Sequence, residues 1–323
     1  MINLKSAEEI KRMREAALIA AAAMDKVLAA VEPGITTAEL DAIAYHYIVG
    51  AGAKPSFKGY GGFPGTACIS INEQIVHGIP GKRRLEEGDI VSIDMGAYLH
   101  GYHSDMARTV GVGNISPEAE MLIRVTEESF FKGIEKAVAG NRIGDISKAV
   151  EQHARAYDLG VVTEYVGHGL GQDLHEDPEV PNFGTSRKGP VMRPGLVIAI
   201  EPMLTLGTHR VVVAPDGWTA STRDGSLSAH YDYRRWPLQH FNDCMRNCMN
   251  DNLCIGRVCK AKAGRGKNRY FIIYGIVNEE YVLLTDGATR KLERPKLKKK
   301  KHLLCRPYVA TEIAEAIEKG APL

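Results

Sequence analysis

The sequence predicts an α+β body, with helices on one side of an antiparallel sheet, followed by a small β-barrel. Three observations lead there. Two successive helix-helix-strand-strand units occupy residues 1 to 232, short alternating strands return after residue 254, and charge divides between the two regions. Residues 1 to 232 carry 22 Lys+Arg against 30 Asp+Glu, whereas residues 233 to 323 carry 19 against 9, so an acidic body precedes a basic tail. With 44% hydrophobic and 25% charged residues, the chain is neither disordered nor collagen-like.

Ser6-Ala-Glu-Glu9 is a capping box that opens the first helix, with Ile10, Met13, Ala17, Met24 and Val31 recurring on one face until Pro33-Gly34 stops it. Thr36-Thr-Ala-Glu39 repeats the device and starts a second helix through Leu40, Ile43, Ala44 and Ile48. Residues 67 to 71 and 90 to 99 read as strands. Ser116-Pro117-Glu118 caps a helix running to about residue 139, and residues 143 to 158 give another. Strands follow near 161 to 166, 196 to 203 and 209 to 214.

From Tyr233 both periodicities stop, and residues 233 to 248 read as an anomalous linker. Alternation resumes at 254 to 260, 269 to 277, 281 to 284 and 290 to 292, enough strands for a small barrel. The Lys296 to Lys301 run reads as solvated, and residues 309 to 318 as a short helix.

No apolar run reaches the ~18 residues of a membrane span, and the charged start Met1-Ile-Asn-Leu-Lys5 has no signal-peptide core. Cys68 lies in the body and five cysteines in the tail, none spaced Cys-x2-Cys, which predicts reduced thiols rather than a zinc ribbon. A cytoplasmic protein is expected.

Asp94 and Asp105 flank a turn around Leu99-His100-Gly101, so a hairpin would bring their carboxylates together. His168 stands in Gly-His-Gly, His175 follows seven residues later, and Glu201 interrupts the apolar Leu-Val-Ile-Ala-Ile. Each has a structural alternative: Glu201 could pair with an Arg, His168 could cap a strand, and His77 in Val-His-Gly-Ile-Pro could be a turn residue. Jointly, oxygen-rich ligands with one imidazole describe a site for Mn, Fe, Co or Zn, and a bridging carboxylate allows two metals to share a water.

Tyr165-Val-Gly-His-Gly-Leu-Gly-Gln-Asp-Leu-His175, the following Glu-Asp-Pro-Glu-Val-Pro-Asn182, Asp94-Met-Gly to Gly101-Tyr-His-Ser-Asp105 and Ile200-Glu-Pro resemble the type I methionine aminopeptidases, from about residue 3 to residue 231. The resemblance implies a pita-bread (creatinase/aminopeptidase) fold and a monomer with two divalent metal ions. It also implies that the enzyme acts on the nascent polypeptide N-terminus, removing initiator methionine before a small second residue. Asp94 would then chelate one metal, Asp105 would bridge both, and His168 and Glu201 would ligate the other. His77 and His175 would be catalytic groups touching substrate, one donating a hydrogen bond to the developing oxyanion. Phe57, Tyr60, Phe63, Cys68 and Trp218 match positions lining the methionine pocket. A proline dipeptidase of the same fold would bring an N-terminal domain not seen here.

The family's last bridging ligand is a Glu in Ser-x-Ser-Ala-x-Tyr-Glu-His-Thr; here the stretch is Ser226-Leu-Ser-Ala-His-Tyr-Asp-Tyr-Arg234, which puts Asp232 one methylene short. Pro237 would also remove an amide from the strand that should continue. Such an abrupt loss inside a ligand motif is what a reading-frame shift produces, with Met249 as the former start of a second protein. Residues 249 to 304 carry 14 Lys+Arg against 5 Asp+Glu and resemble the ribosomal-protein-L14e-like KOW proteins, implying an SH3-like barrel. Arg257, Lys260, Lys262, Arg265, Lys267 and Arg269 would contact RNA or the ribosome. The expected organisation is a peptidase body over 1–232 lacking its last strand, a linker over 233–248, a KOW segment over 249–304 and a tail over 305–323. Two functions are compatible with it: a metallo-aminopeptidase held near the ribosome, or a body without a working metal centre that serves only as an RNA or ribosome binder.

Overall fold

The computed structural model describes residues 1–232, 257–261, 270–276, 281–285, 296–299 and 303–309. The chain divides into two compact units, Met1–Gln239 and His240–Leu323.

In the first unit, Ser6 and Glu9 form the reciprocal cap of α1 (Ala7–Leu28), and Thr36 and Glu39 that of α2 (Thr37–Gly50). The stripe that α1 buries runs through Ile10, Met13, Ala16, Ala20, Met24 and Val27, with Ala17 only half-buried beside it. Both helices pack on an antiparallel sheet of Ala67–Ile71, Ile90–Met95 and Met106–Gly111, whose Ile69, Val91, Ile93 and Met95 share a core with Met24, Leu40 and Ile48.

The second half repeats the plan. Ser116 caps α3 (Pro117–Ile134), which pairs with α4 (Ile143–Arg155). Residues of both helices share a core with a sheet ordered Ser228–His230, Met203–Thr205, Gly160–Val161. Each half thus buries one face of a sheet under two helices and leaves the other face free to build a site.

Several elements differ from the sequence expectation. The strand over 90 to 99 breaks into Ile90–Met95 and Ala97–Leu99 at Gly96, where a Cβ would sit 2.1 Å from the Ser104 carbonyl. The apolar run from 196 makes no regular strand before Met203–Thr205. Its backbone bonds, Leu170 N to Val197 O and Ala199 N to His168 O, run to an irregular partner, and Pro202 brings no amide. α3 stops at Ile134, short of 139, and only Val161 of the segment 161 to 166 is strand, as the end of Gly160–Val161. Sequence periodicity also passed over Gln74–Val76, Gly167–Gly169 and Ala220–Thr222, too short for alternation to show, and Glu176–Val180, whose Glu-Asp-Pro-Glu-Val carries no apolar alternation.

The family's final strand does begin. Ser228–His230 pairs with Met203–Thr205, and Asp232 exchanges both backbone bonds with Ala107, at 2.8 and 2.9 Å. Pro237 and the linker lie outside the described residues.

The second unit contains a five-stranded antiparallel sheet ordered Lys296–Lys299, Tyr281–Thr285, Tyr270–Ile276, Arg257–Ala261, Leu303–Val309, around Cys259, Phe271, Ile273, Val282 and Leu284. Two expectations are corrected. Lys296–Lys299 is a paired strand rather than a solvated run: Lys296 and Lys299 lay their ammonium groups 5.9 and 5.2 Å from the Phe271 and Tyr281 ring centres, half-burying their stems. The first five residues of the segment expected as a tail, 305–309, belong instead to the strand Leu303–Val309, and its remainder lies outside the described residues. The strand expected at 290 to 292 and most of the helix at 309 to 318 lie outside the described residues. No helix among the described residues is long and apolar enough to cross a membrane.

Candidate metal centre

Register across the first sheet builds one side of the centre. Cys68 lies opposite Asp94, Asp94 opposite Ala107, and Ala107 opposite Asp232, so the four form one row across three strands and an isolated bridge. Directly opposed residues share a face, and the small Ala107 leaves open the space between the two carboxylates. Asp105 lies just before the strand Met106–Gly111 and faces the same cavity as Asp94. Asp94, Asp105 and Asp232 are 9%, 6% and 2% exposed.

The opposite side comes from the second half. His168 sits on Gly167–Gly169, where a Cβ on either flanking glycine would lie within 2.3 Å of a carbonyl oxygen, Ala199 O or Asp177 O. The Gly-His-Gly triplet thus lets neighbouring backbone press against the strand that presents the imidazole. His168 Nδ1 donates to Gly169 O at 2.8 Å, turning Nε2 toward Asp105 Oδ2 (3.4 Å) and Glu201 Oε1 (3.2 Å). One ligating atom each of Asp105, His168 and Glu201 falls within 4.8 Å of the others.

The electrostatics describe a cluster short of positive charge. Burial first, then Asp105, Glu201 and Asp232, push the Asp94 carboxyl far above the usual carboxylate range. Burial would lower the pKa of His168, but Glu201 and Asp105 outweigh it and raise it to about 9. Glu201 Oε1 is buried, with the His168 imidazole as its ion-pair partner. Clustered acids that repel one another and an imidazole with its outer nitrogen fixed fit divalent cations. The residues present therefore suit the group that the sequence implied.

Beside the cluster opens a cavity of about 220 Å³ lined by Phe57, Tyr60, Phe63, Cys68 and Trp218 and bordered by Asp94, Asp105, His168, Glu201, His77 and His175. Every site residue anticipated in the body except Asp232 borders this one space. Burial, reinforced by Asp94 and Asp105, pushes the Cys68 thiol up, so it serves as an uncharged wall. Burial and the neighbouring His230 lower His77 to about 4, so its imidazole is neutral. His175 stands at the mouth, partly open to solvent but hemmed in by protein, and that crowding and His168 hold its pKa below the usual value. Its Nδ1 lies 2.8 Å from the Tyr60 hydroxyl and its ring centre 4.1 Å from that of His168.

Sequence reasoning missed His230, which is 1% exposed with Nε2 3.7 Å from Glu201 Oε2. Counting back two residues along the strand from Asp232 would have found it. Val76, Leu174 and Met203 were missed as apolar wall, while Tyr165, at the head of the quoted histidine motif, packs edge-on against His77 at 5.2 Å. Of the expected RNA-contacting residues, Arg257 and Lys260 fall on the strand Arg257–Ala261, and Lys262, Arg265, Lys267 and Arg269 lie outside the described residues.

A family model described as metallopeptidase family M24 matches residues 11–264. The chain belongs to metallopeptidase family M24. Membership implies divalent metal ions and makes the chain an enzyme, a metallo-aminopeptidase by its relatives. The methionine aminopeptidase of Clostridium perfringens is 56% identical over 232 residues, covering 72% of this chain and 93% of its own. Methionine aminopeptidase 1 of Bacillus subtilis is 50% identical over 233 residues, covering 72% and 94%. The crystal structure of the methionine aminopeptidase from Thermotoga maritima, 42% identical, matches with a TM-score of 0.71 over 72% of this chain and 94% of that one. A prolidase from Pyrococcus furiosus, 24% identical with a TM-score of 0.56 over 71% and 61%, shares the pita-bread fold of this M24 body and nothing more.

Proposed function

We propose that the body removes the initiator methionine from nascent chains whose second residue is small, with Asp94, Asp105, His168, Glu201 and Asp232 holding two divalent ions. The carrying observation is the single cavity in which an acidic, imidazole-bearing cluster adjoins an apolar pocket. When bound, the ions supply Lewis-acid activation of the attacking water and of the scissile carbonyl.

The chain's own residues do the rest. Phe57, Phe63, Cys68 and Trp218 offer a thioether side chain polarizable, apolar contact and exclude water from it. With the Tyr60 hydroxyl as donor to His175 Nδ1, 2.8 Å away, the imidazole proton would sit on Nε2, free to donate to the oxyanion as the carbonyl becomes tetrahedral. The neutral His77 adds a second imidazole without adding a charge that would repel the ions. The preference for a small second residue follows from the resemblance alone.

Asp105→Ala in the full chain should abolish methionine release from a Met-Ala-Ser peptide; unchanged turnover would remove the metal centre from this account. The burial of Asp232 in register with Asp94 favours the enzymatic reading over a body without a working centre.

For the second unit we propose a KOW-like, SH3-like barrel that binds RNA or the ribosome. The five-stranded sheet and the excess of 14 Lys+Arg over 5 Asp+Glu across residues 249 to 304 support that reading.

A further inference from the structure

We propose that Lys5 and Glu176 are positioning residues for His175, a role that rests on the placement of His175 beside the scissile bond. Lys5 precedes α1, and its ammonium is ion-paired to Glu176 with side chains only 5% and 6% exposed. A buried ammonium is rare unless a specific partner holds it. Here the partner organises a turn. Glu176 Oε2 takes the Lys5 ammonium and the Asn3 side-chain amide at 3.5 Å, while Oε1 accepts from Asp173 N at 3.4 Å. Lys5 Nζ also donates to Asn3 O at 3.1 Å, and its backbone amide to Gly195 O at 2.6 Å, so the lysine is itself fixed at both ends.

The turn is shaped around this pair. A Cβ on Gly171 would lie 2.3 Å from Glu176 Oε1 and 2.5 Å from Lys5 Cε, so a side chain there would have to displace the ends of the ion pair itself. His175 is the last residue of that turn, and Glu176 pairs with Gly169, next to His168. The side chain of His175 is steadied by the Tyr60 hydroxyl and by the face of His168. Its backbone is set by the carboxylate beside it. A buried charge pair holds one geometry because either charge left alone in the protein is heavily penalised, so the N-terminal segment fixes where His175 points.

The test compares the full chain with Lys5→Met, Glu176→Gln and Gly171→Ala, the last keeping both charges but crowding them. On Met-Ala-Ser with metal content verified, each variant should lower kcat by about 30-fold and leave KM within about threefold, the pattern of a misplaced group rather than lost binding. Amide hydrogen exchange should quicken in residues 170 to 177 and stay at the parent rate in α3 and α4. Ethylammonium should restore kcat to Lys5→Ala and not to Glu176→Ala. An inert parent would sink the peptidase reading and leave the exchange measurement to decide this one. Parent-like kcat with unchanged exchange in 170 to 177 overturns the proposal, as does faster exchange spread evenly over the body, which is the signature of a stabilising pair only. Should Lys5→Met not fold, Gly171→Ala decides by the same criteria.

Discussion

At the scale of single residues, a cation entering the site would compete with protons for the same atoms. Burial lowers the pKa of His168, but Glu201 and Asp105 raise it further, to about 9, so the metal-free imidazole keeps its proton at neutral pH. A cation binding Nε2 must displace that proton. Below about pH 9 the protonated fraction falls as pH rises, so apparent affinity should increase by up to about tenfold per pH unit. Calorimetric titration with Mn²⁺ at about pH 6.5 and about pH 8.5 checks this, in buffers of differing ionisation enthalpy that count the protons released. Equal affinities with no proton release would contradict it. Asp94, Asp105, His168 and Glu201 were legible in the sequence because acids and imidazoles embedded in apolar or glycine-flanked strands need a reason to be there. His230 was not, because its place facing Glu201 depends on strand register and shows only by counting back from Asp232.

At the scale of elements, the capping boxes of α1 and α2 were legible because their geometry is local: a hydroxyl and a carboxylate three residues apart. Short strands were not, since two or three residues cannot display a period. The strand Gly167–Gly169 is the instructive case. Its glycines read as a motif, yet their physical role, close approach by Ala199 O and Asp177 O, exists only after folding. Gly169→Ala should therefore destabilise the body by about 1–3 kcal/mol through overpacking. It should also weaken metal binding by displacing His168. Thermal unfolding and Mn²⁺ titration of the variant read both effects, and parent-like values in both would show that the strand tolerates a side chain.

At the scale of the whole molecule, an acidic unit and a basic unit share one chain. Phosphate contacts release condensed counterions, so if the basic residues bind RNA, log affinity should fall linearly with log salt. Six contacts would cost about a thousandfold between 50 and 200 mM salt. Titrating the full chain with a labelled structured RNA over that range is the check, and salt-independent or absent binding would leave the basic unit without this partner. The tail's composition was legible because charge simply sums. Its strands Lys296–Lys299 and Leu303–Val309 were not, because the first is masked by a lysine run whose stems lie on aromatic rings.

By itself the sequence determined the two helix-helix-sheet halves of the body, the ligand types, the apolar character of the substrate pocket and the family. The halves follow from caps and alternation along the chain, and the candidate ligand types from chemically costly residues in apolar runs. The pocket and the family came from the resemblance to the type I methionine aminopeptidases. Only the tertiary structure decided that Cys68, Asp94, Ala107 and Asp232 share one row, that Glu201 faces both His168 and His230, and that Lys5 reaches Glu176 beside His175. Strand register and the meeting of residues 171 positions apart are set by packing the halves together, and no local pattern encodes them.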